Sequence, residues 1–104
     1  MEKSKKFEFA KCAAYENGGI VSKAVIENGG GNVSLFAFAK GQGLSEHSAP
    51  FDALVQIIEG VAEIKIGGVA QKLSAGESVI MPANVPHALS ASENFKMLLT
   101  MIRK

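Results

Sequence analysis

The chain has 104 residues, a length that suits one compact domain with one core, and 47% of them are hydrophobic. Eleven basic residues face ten acidic ones for a net charge of +1, so no excess positive field exists to capture phosphates, which argues against a nucleic-acid partner. No run of about 18 apolar residues is present to cross a membrane as a helix, and the first residues lack the apolar run of about 7–15 that marks a secretory signal.

Lys3, Lys5 and Lys6 read as a solvated basic tail. Phe7, Glu8 and Phe9 alternate and predict a short edge strand. The single cysteine, Cys12, has no internal disulfide partner, and a reducing cytoplasm is the compartment expected. Residues 20–27 are rich in branched side chains (Ile20, Val21, Val25, Ile26) and predict a strand. The glycines of residues 28–32 form the loop that follows. Residues 33–39 predict a strand that is apolar on both faces. Such a strand needs cover on both sides, one of them expected from a second subunit, so a homodimer is expected.

Residues 56–59 read as a short strand closing at Gly60, and residues 61–66 as another. In the second, Ala62, Ile64 and Ile66 alternate with Glu63 and Lys65. Gly67-Gly68 fits a two-residue hairpin turn of the primed type, and residues 69–73 return along it. After a turn at residues 74–77, residues 78–81 predict a strand. Pro82 and Pro86 then flank a tight connection that presents His87. The last strand, residues 95–102, sets Phe95, Met97, Leu99 and Met101 on one face. Short strands punctuated by glycine turns, with no helical periodicity, predict an all-β antiparallel sandwich or barrel. No linker divides the chain, so residues 1–104 read as one domain.

Two spacings carry more information. Gly41 is followed after five residues by His47, and Gly60 closes that segment. Gly76 is followed after five residues by Pro82, and then by Asn84 and His87. These segments, about 41–60 and 76–91, resemble the paired motifs of the cupin family. Those motifs run Gly, five residues, His-x-His, three or four residues, Glu, six residues, Gly, and then Gly, five residues, Pro-x-Gly, two residues, His. The resemblance implies an antiparallel double-stranded β-helix, the jelly-roll barrel of a small single-domain cupin. In that family the His-x-His pair, the glutamate and the later histidine converge on a divalent metal. Here His47 and His87 match the first and last histidines, whereas Ala49 and Ala53 stand where the second histidine and the glutamate belong. Asn84 replaces the glycine of the second motif, and asparagine tolerates a left-handed backbone.

The candidate metal ligands are therefore His47 and His87, for a divalent transition metal completed by water or a substrate. Strand alternation points Glu46, Ser48 and Asp52 away from the interior, but Pro50 disturbs regular pairing and can shift the phase, so Asp52 and Gln56 are the candidate third ligands, and Cys12 is one only if the N-terminal segment crosses the barrel mouth. Parity places Phe51, Val55 and Ile57 near the site, with Met81 and Met97, as an apolar pocket lining for a small molecule. The function expected is small-molecule binding near His47 and His87. The alternative is a metal-dependent enzyme, dioxygenase- or isomerase-like, using the same two histidines with a non-standard third ligand or water. A third reading is a structural partner with the barrel filled. No Cys-x-x-Cys pair and no phosphate-loop glycine motif points to other chemistry.

Overall fold

The computed structural model describes residues 1–103. A 3-10 turn (Phe9–Lys11) precedes eight strands: β1 (Ile20–Asn28), β2 (Gly31–Phe38), β3 (Gly43–His47), β4 (Asp52–Ile66), β5 (Val69–Ser74), β6 (Ser78–Met81), β7 (His87–Ser90) and β8 (Phe95–Ile102). Every pairing among them is antiparallel. One sheet runs β1-β2-β8-β4-β6 and the other β3-β7-β4-β5, so β4 belongs to both. The expected all-β jelly roll is present. No helix among the described residues is long and apolar enough to cross a membrane.

The two short strands expected at residues 56–59 and 61–66 are one strand of 15 residues. Gly60 bends it rather than ending it: its φ is +80°, and a bulge lies between Ile57 and Glu59 in the pairing with β8. The bulge resets the alternation. Ala53, Val55 and Ile57 point inward before it, and Ala62 and Ile64 point inward after it. One chain segment thereby serves both walls of the barrel. The core between them holds Phe38, Val55, Ile64, Phe95 and Met97, with the Phe38 and Phe95 rings stacked at 4.6 Å. Gly67 and Gly68 turn with φ of +56° and +85°, as the primed hairpin requires.

Residues 7–9 do not form the expected edge strand. No strand partners them. Instead the Lys11 amide donates to the Glu8 carbonyl and the Cys12 amide to the Phe9 carbonyl, and the 3-10 turn Phe9–Lys11 begins at the end of this segment. The N-terminal segment crosses the outer face of the first sheet, where Phe9, Cys12, Ala13 and Tyr15 pack on Leu35, Ala37 and Leu98. The cover that β2 needs at Leu35 and Ala37 thus comes from the chain itself.

Lys96 fastens this segment. It is a lysine on a strand with only 7% exposure, and three partners stabilise its charge. The ammonium donates to the Ala10 carbonyl, pairs with Glu59 at 3.5 Å and lies 4.9 Å from the centre of the Tyr15 ring. The Tyr15 hydroxyl donates to the same carboxylate at 2.6 Å. Burial, then the hydrogen bond and charge of Glu59, push the Tyr15 hydroxyl well above its usual range, so it stays protonated. Glu59 remains partly solvated, so losing the lysine does not strand a dry charge. Lys96→Met is expected to cost about 1–2 kcal/mol. It should also speed hydrogen exchange at the Lys11 and Cys12 amides far more than at the strands; uniform exchange would show that the segment is held by other means.

Candidate functional site

His47 ends β3 and His87 begins β7, and the two are cross-strand partners. β7 lies between β3 and β4, so His87 has Ile66 on its other side. Leu44 and Leu89 pair inward one step along the ladder. Three residues of β3 span the interval that two cover on β7, and this bulge returns His47 to the face of Leu44. Plain alternation from Leu44 would have put Glu46 there.

The loop before His87 is pinned to the segment before β4. The Asn84 amide donates to the Ala49 carbonyl at 2.7 Å, and the Ala83 amide to Asp52 Oδ1 at 2.8 Å. Asn84 adopts φ +63°, the left-handed turn its side chain tolerates. Ala49, at the position of a family ligand, thus acts through its backbone. Asp52 is engaged in holding the loop.

The two rings meet edge to face with centroids 4.3 Å apart and Nε2 atoms 3.1 Å apart. His47 Nδ1 lies 2.8 Å from the Ser45 carbonyl, and His87 Nδ1 lies 3.3 Å from the Val85 carbonyl. A carbonyl oxygen only accepts, so each Nδ1 carries the hydrogen. The neutral ring then has its lone pair on Nε2. Two acceptor nitrogens 3.1 Å apart form no hydrogen bond with each other unless a proton or another cation is shared between them.

The pair is asymmetric: His87 is 6% exposed, whereas His47 is exposed on the edge strand. Burial lowers the His87 pKa from its ordinary 6.5, the Val85 carbonyl pulls it back upward, and the adjacent His47 lowers it further. The folded chain therefore resists a proton that the unfolded chain takes up below about pH 6.5. The contribution of His87 to stability is complete above that value and is lost as the pH falls through the lower folded pKa. Urea midpoints measured between pH 7.5 and pH 5 should decline with acid, and His87→Asn should flatten that part of the decline. An unchanged profile would contradict the burial assignment.

The other candidates sit in their own surroundings. Val55, Ile57, Met81 and Met97 are each at most 3% exposed and pack in the central cluster. Phe51 precedes β4, half-buried and outside that cluster. Cys12 lies against the outer sheet face, its thiol on the Glu8 carbonyl, so it does not reach the barrel mouth. Among the described residues no group of three or more His, Cys, Asp or Glu side chains is gathered for a metal. The Lys96–Glu59–Tyr15 cluster gave no sequence signal, because nothing local marks a strand lysine as buried.

Residues 34–103 match the family model described as a cupin domain. The chain belongs to the cupin family. Among solved structures, this cupin is similar to a conserved protein of unknown function, SPY1581, from Streptococcus pyogenes. That match has 33% identity and a TM-score of 0.94, covering 100% of this chain and 91% of that one. It is also similar to a cupin 2 conserved barrel domain protein from Leptotrichia buccalis, with 38% identity and a TM-score of 0.90 over 93% of this chain. The cupin spans 47% of that second protein's length. A salicylate 1,2-dioxygenase from Pseudoaminobacter salicylatoxidans, at 16% identity and a TM-score of 0.76, shares the fold alone. No curated protein matches the chain.

Proposed function

We propose that this cupin binds a small molecule at the barrel mouth around a divalent metal ion held by His47 and His87. The observation that carries this reading is the pair of Nε2 atoms 3.1 Å apart, with each Nδ1 committed to a carbonyl. Two nitrogens about 2.0–2.1 Å from one ion are about 2.9 Å apart at a right angle and about 3.3 Å apart at the tetrahedral angle. The observed separation lies between these, so the residues present fit such an ion. The carbonyls of Ser45 and Val85 fix the tautomers and ring orientations, the role outer partners play in metal centres.

Only two protein ligands belong to this centre, so water and an oxygen-bearing ligand fill the remaining positions. The exposed His47 leaves that side reachable from solvent. The ligand sits over this opening and not among Val55, Ile57, Met81 and Met97, which fill the core. A bound ion would supply Lewis-acid polarisation of a ligand or water oxygen. The protein's own part is to hold two nitrogens in register and to keep His87 neutral.

A second reading follows from the same ligand count. Without metal, two acceptor nitrogens at the mouth suit a ligand ammonium that donates to both, or a hydroxyl that donates to one of them. Calorimetric titration of metal-stripped protein with Co2+ separates the two. One ion per chain supports the metal reading. No binding, with ligands still retained in a screen, supports the second.

A further inference from the structure

β4 is shared by both walls of the barrel, so the strand orders leading away from it decide which strands face each other. From β4 the first sheet continues through β8, β2 and β1, and the second through β7 and β3. β8 therefore stands opposite β7, and β2 opposite β3, while among the described residues no strand lies across from β1. Its inward residues Ser22 and Ala24 are exposed for that reason, and the barrel opens along the β2–β3 side. Levels along the barrel follow from the bend at Gly60. Before it, Ala53 heads an inward row in which Ala53 pairs with Met101 and Met101 with Asn32. About as far after it, Ile66 heads the facing row, in which Ile66 pairs with His87 and His87 with His47. Ala53, Met101 and Ile66 all pack on the central core, so both rows face inward. Asn32 thus stands on the wall opposite the histidine pair and at its level.

The side-chain oxygen of Asn32 is buried and has no hydrogen-bond partner, the one such side-chain atom among the described residues. Buried acceptors are almost always paired, because an orphan forfeits the hydrogen bonds it made to water. Neither neighbour in its row can serve it: Met101 has no donor, and the carboxylate of Glu27, its partner on β1, only accepts. Packing does not explain the residue either, since a leucine of the same branched shape would fill the place without an orphan. The residue as a whole is half-buried, and the broad χ2 well of asparagine lets the oxygen swing to a donor in the gap.

We infer that Asn32 is a specificity-determining residue: its oxygen accepts a hydrogen bond from an N–H or O–H group at the end of the ligand remote from the histidines. This rests on the reading that the ligand binds at the barrel mouth. Walls packed about 10 Å apart let one small molecule touch both the histidine pair and Asn32. The ligand class follows. It is a small molecule with an oxygen at one end for the histidine-held ion and an amide or hydroxyl donor at the other. Phe36, on the same face of β2 and only partly buried, flanks its body.

Two probes test this. Malonate monoamide carries a carboxylate at one end and an amide N–H at the other, and its N,N-dimethyl analogue keeps the carboxylate but has no donor. Each is titrated calorimetrically into the full chain loaded with Zn2+. Wild-type protein should bind the monoamide at least about tenfold more tightly than the analogue. Asn32→Leu, and Asn32→Ala, which adds no bulk, should bind the two alike. Free of ligand, Asn32→Leu should also unfold at a higher urea concentration than wild type, because it buries no orphan acceptor, whereas a purely structural asparagine would make it unfold at a lower one. Equal binding of both probes by wild type, a preference that survives in both variants, or a lower urea midpoint for Asn32→Leu would overturn the role of Asn32 and leave the mouth as the binding site. Wild-type protein that binds neither probe, or a His47→Ala variant that binds the monoamide as tightly as wild type, would instead remove the ligand from the mouth, and this assignment with it.

Discussion

His87→Ala is expected to weaken Co2+ or Zn2+ binding by at least about 100-fold, beyond what altering an outer-shell partner costs. The alanine removes one of two protein nitrogens, and among the described residues no other cluster of ligating side chains stands ready to compensate. His47→Ala should weaken binding as strongly. The two differ in stability. His47 is exposed, so its removal should change the unfolding free energy by less than about 0.5 kcal/mol. His87 is buried between β3 and β4, and its loss opens space beside Ile66, so a cost of about 1–3 kcal/mol is expected. Calorimetric titration paired with urea unfolding reads both quantities. Metal affinity unchanged in both variants would remove the pair from any metal site.

Gly60→Ala is expected to lower stability by about 3–5 kcal/mol, near the upper end for a single substitution. An added Cβ would lie 2.0 Å from the Asn94 carbonyl oxygen and 2.8 Å from the Phe95 Cα, and neither is a flexible side-chain end. The residue also sits at φ +80°, where a side chain costs roughly 1–2 kcal/mol on its own. Relief requires β4 and β8 to separate at the bend that lets one strand serve both sheets. Gly68→Ala is the matched control: its φ is +85° but nothing lies within 4 Å of the added Cβ, so only the conformational cost applies. For a chain of this size about 1 kcal/mol moves the melting temperature by roughly 4–8 °C. Gly60→Ala should therefore melt at least about 12 °C lower than wild type. Equal losses in the two variants would mean that the close approach at Gly60 carries no energy.

Local chemistry made part of this fold legible. Gly67-Gly68 and Asn84 announced their backbone conformations because few other residues adopt them. The last strand announced its inward face through Phe95, Met97, Leu99 and Met101. The misread parts depend on contacts distant in sequence. Phe7 and Phe9 alternate like a strand, but a strand needs a neighbour and none is there. The apolar outer side of β2 was visible, yet nothing near it in sequence says that Ala13 and Phe9 cover it. The long β4 was hidden because a glycine that bends a strand looks the same in sequence as one that ends it. At the site, the two histidines were found by motif spacing, whereas the bulge that brings His47 round to Leu44's face leaves no local trace. The carbonyls of Ser45 and Val85, which decide where the lone pairs lie, are backbone groups and have no signature at all.

The central claim is that both imidazoles carry their hydrogen on Nδ1 and aim their Nε2 lone pairs at one point. Long-range 1H–15N correlation spectra of 15N-labelled protein at pH 7.5, recorded before and after one equivalent of Zn2+, test it most directly. The account predicts Nδ1–H tautomers on His47 and His87 at the outset, and Nε2 resonances of both rings shifting together with zinc while Nδ1 stays protonated. A ring found as the Nε2–H tautomer, or zinc that moves one ring without the other, would contradict it.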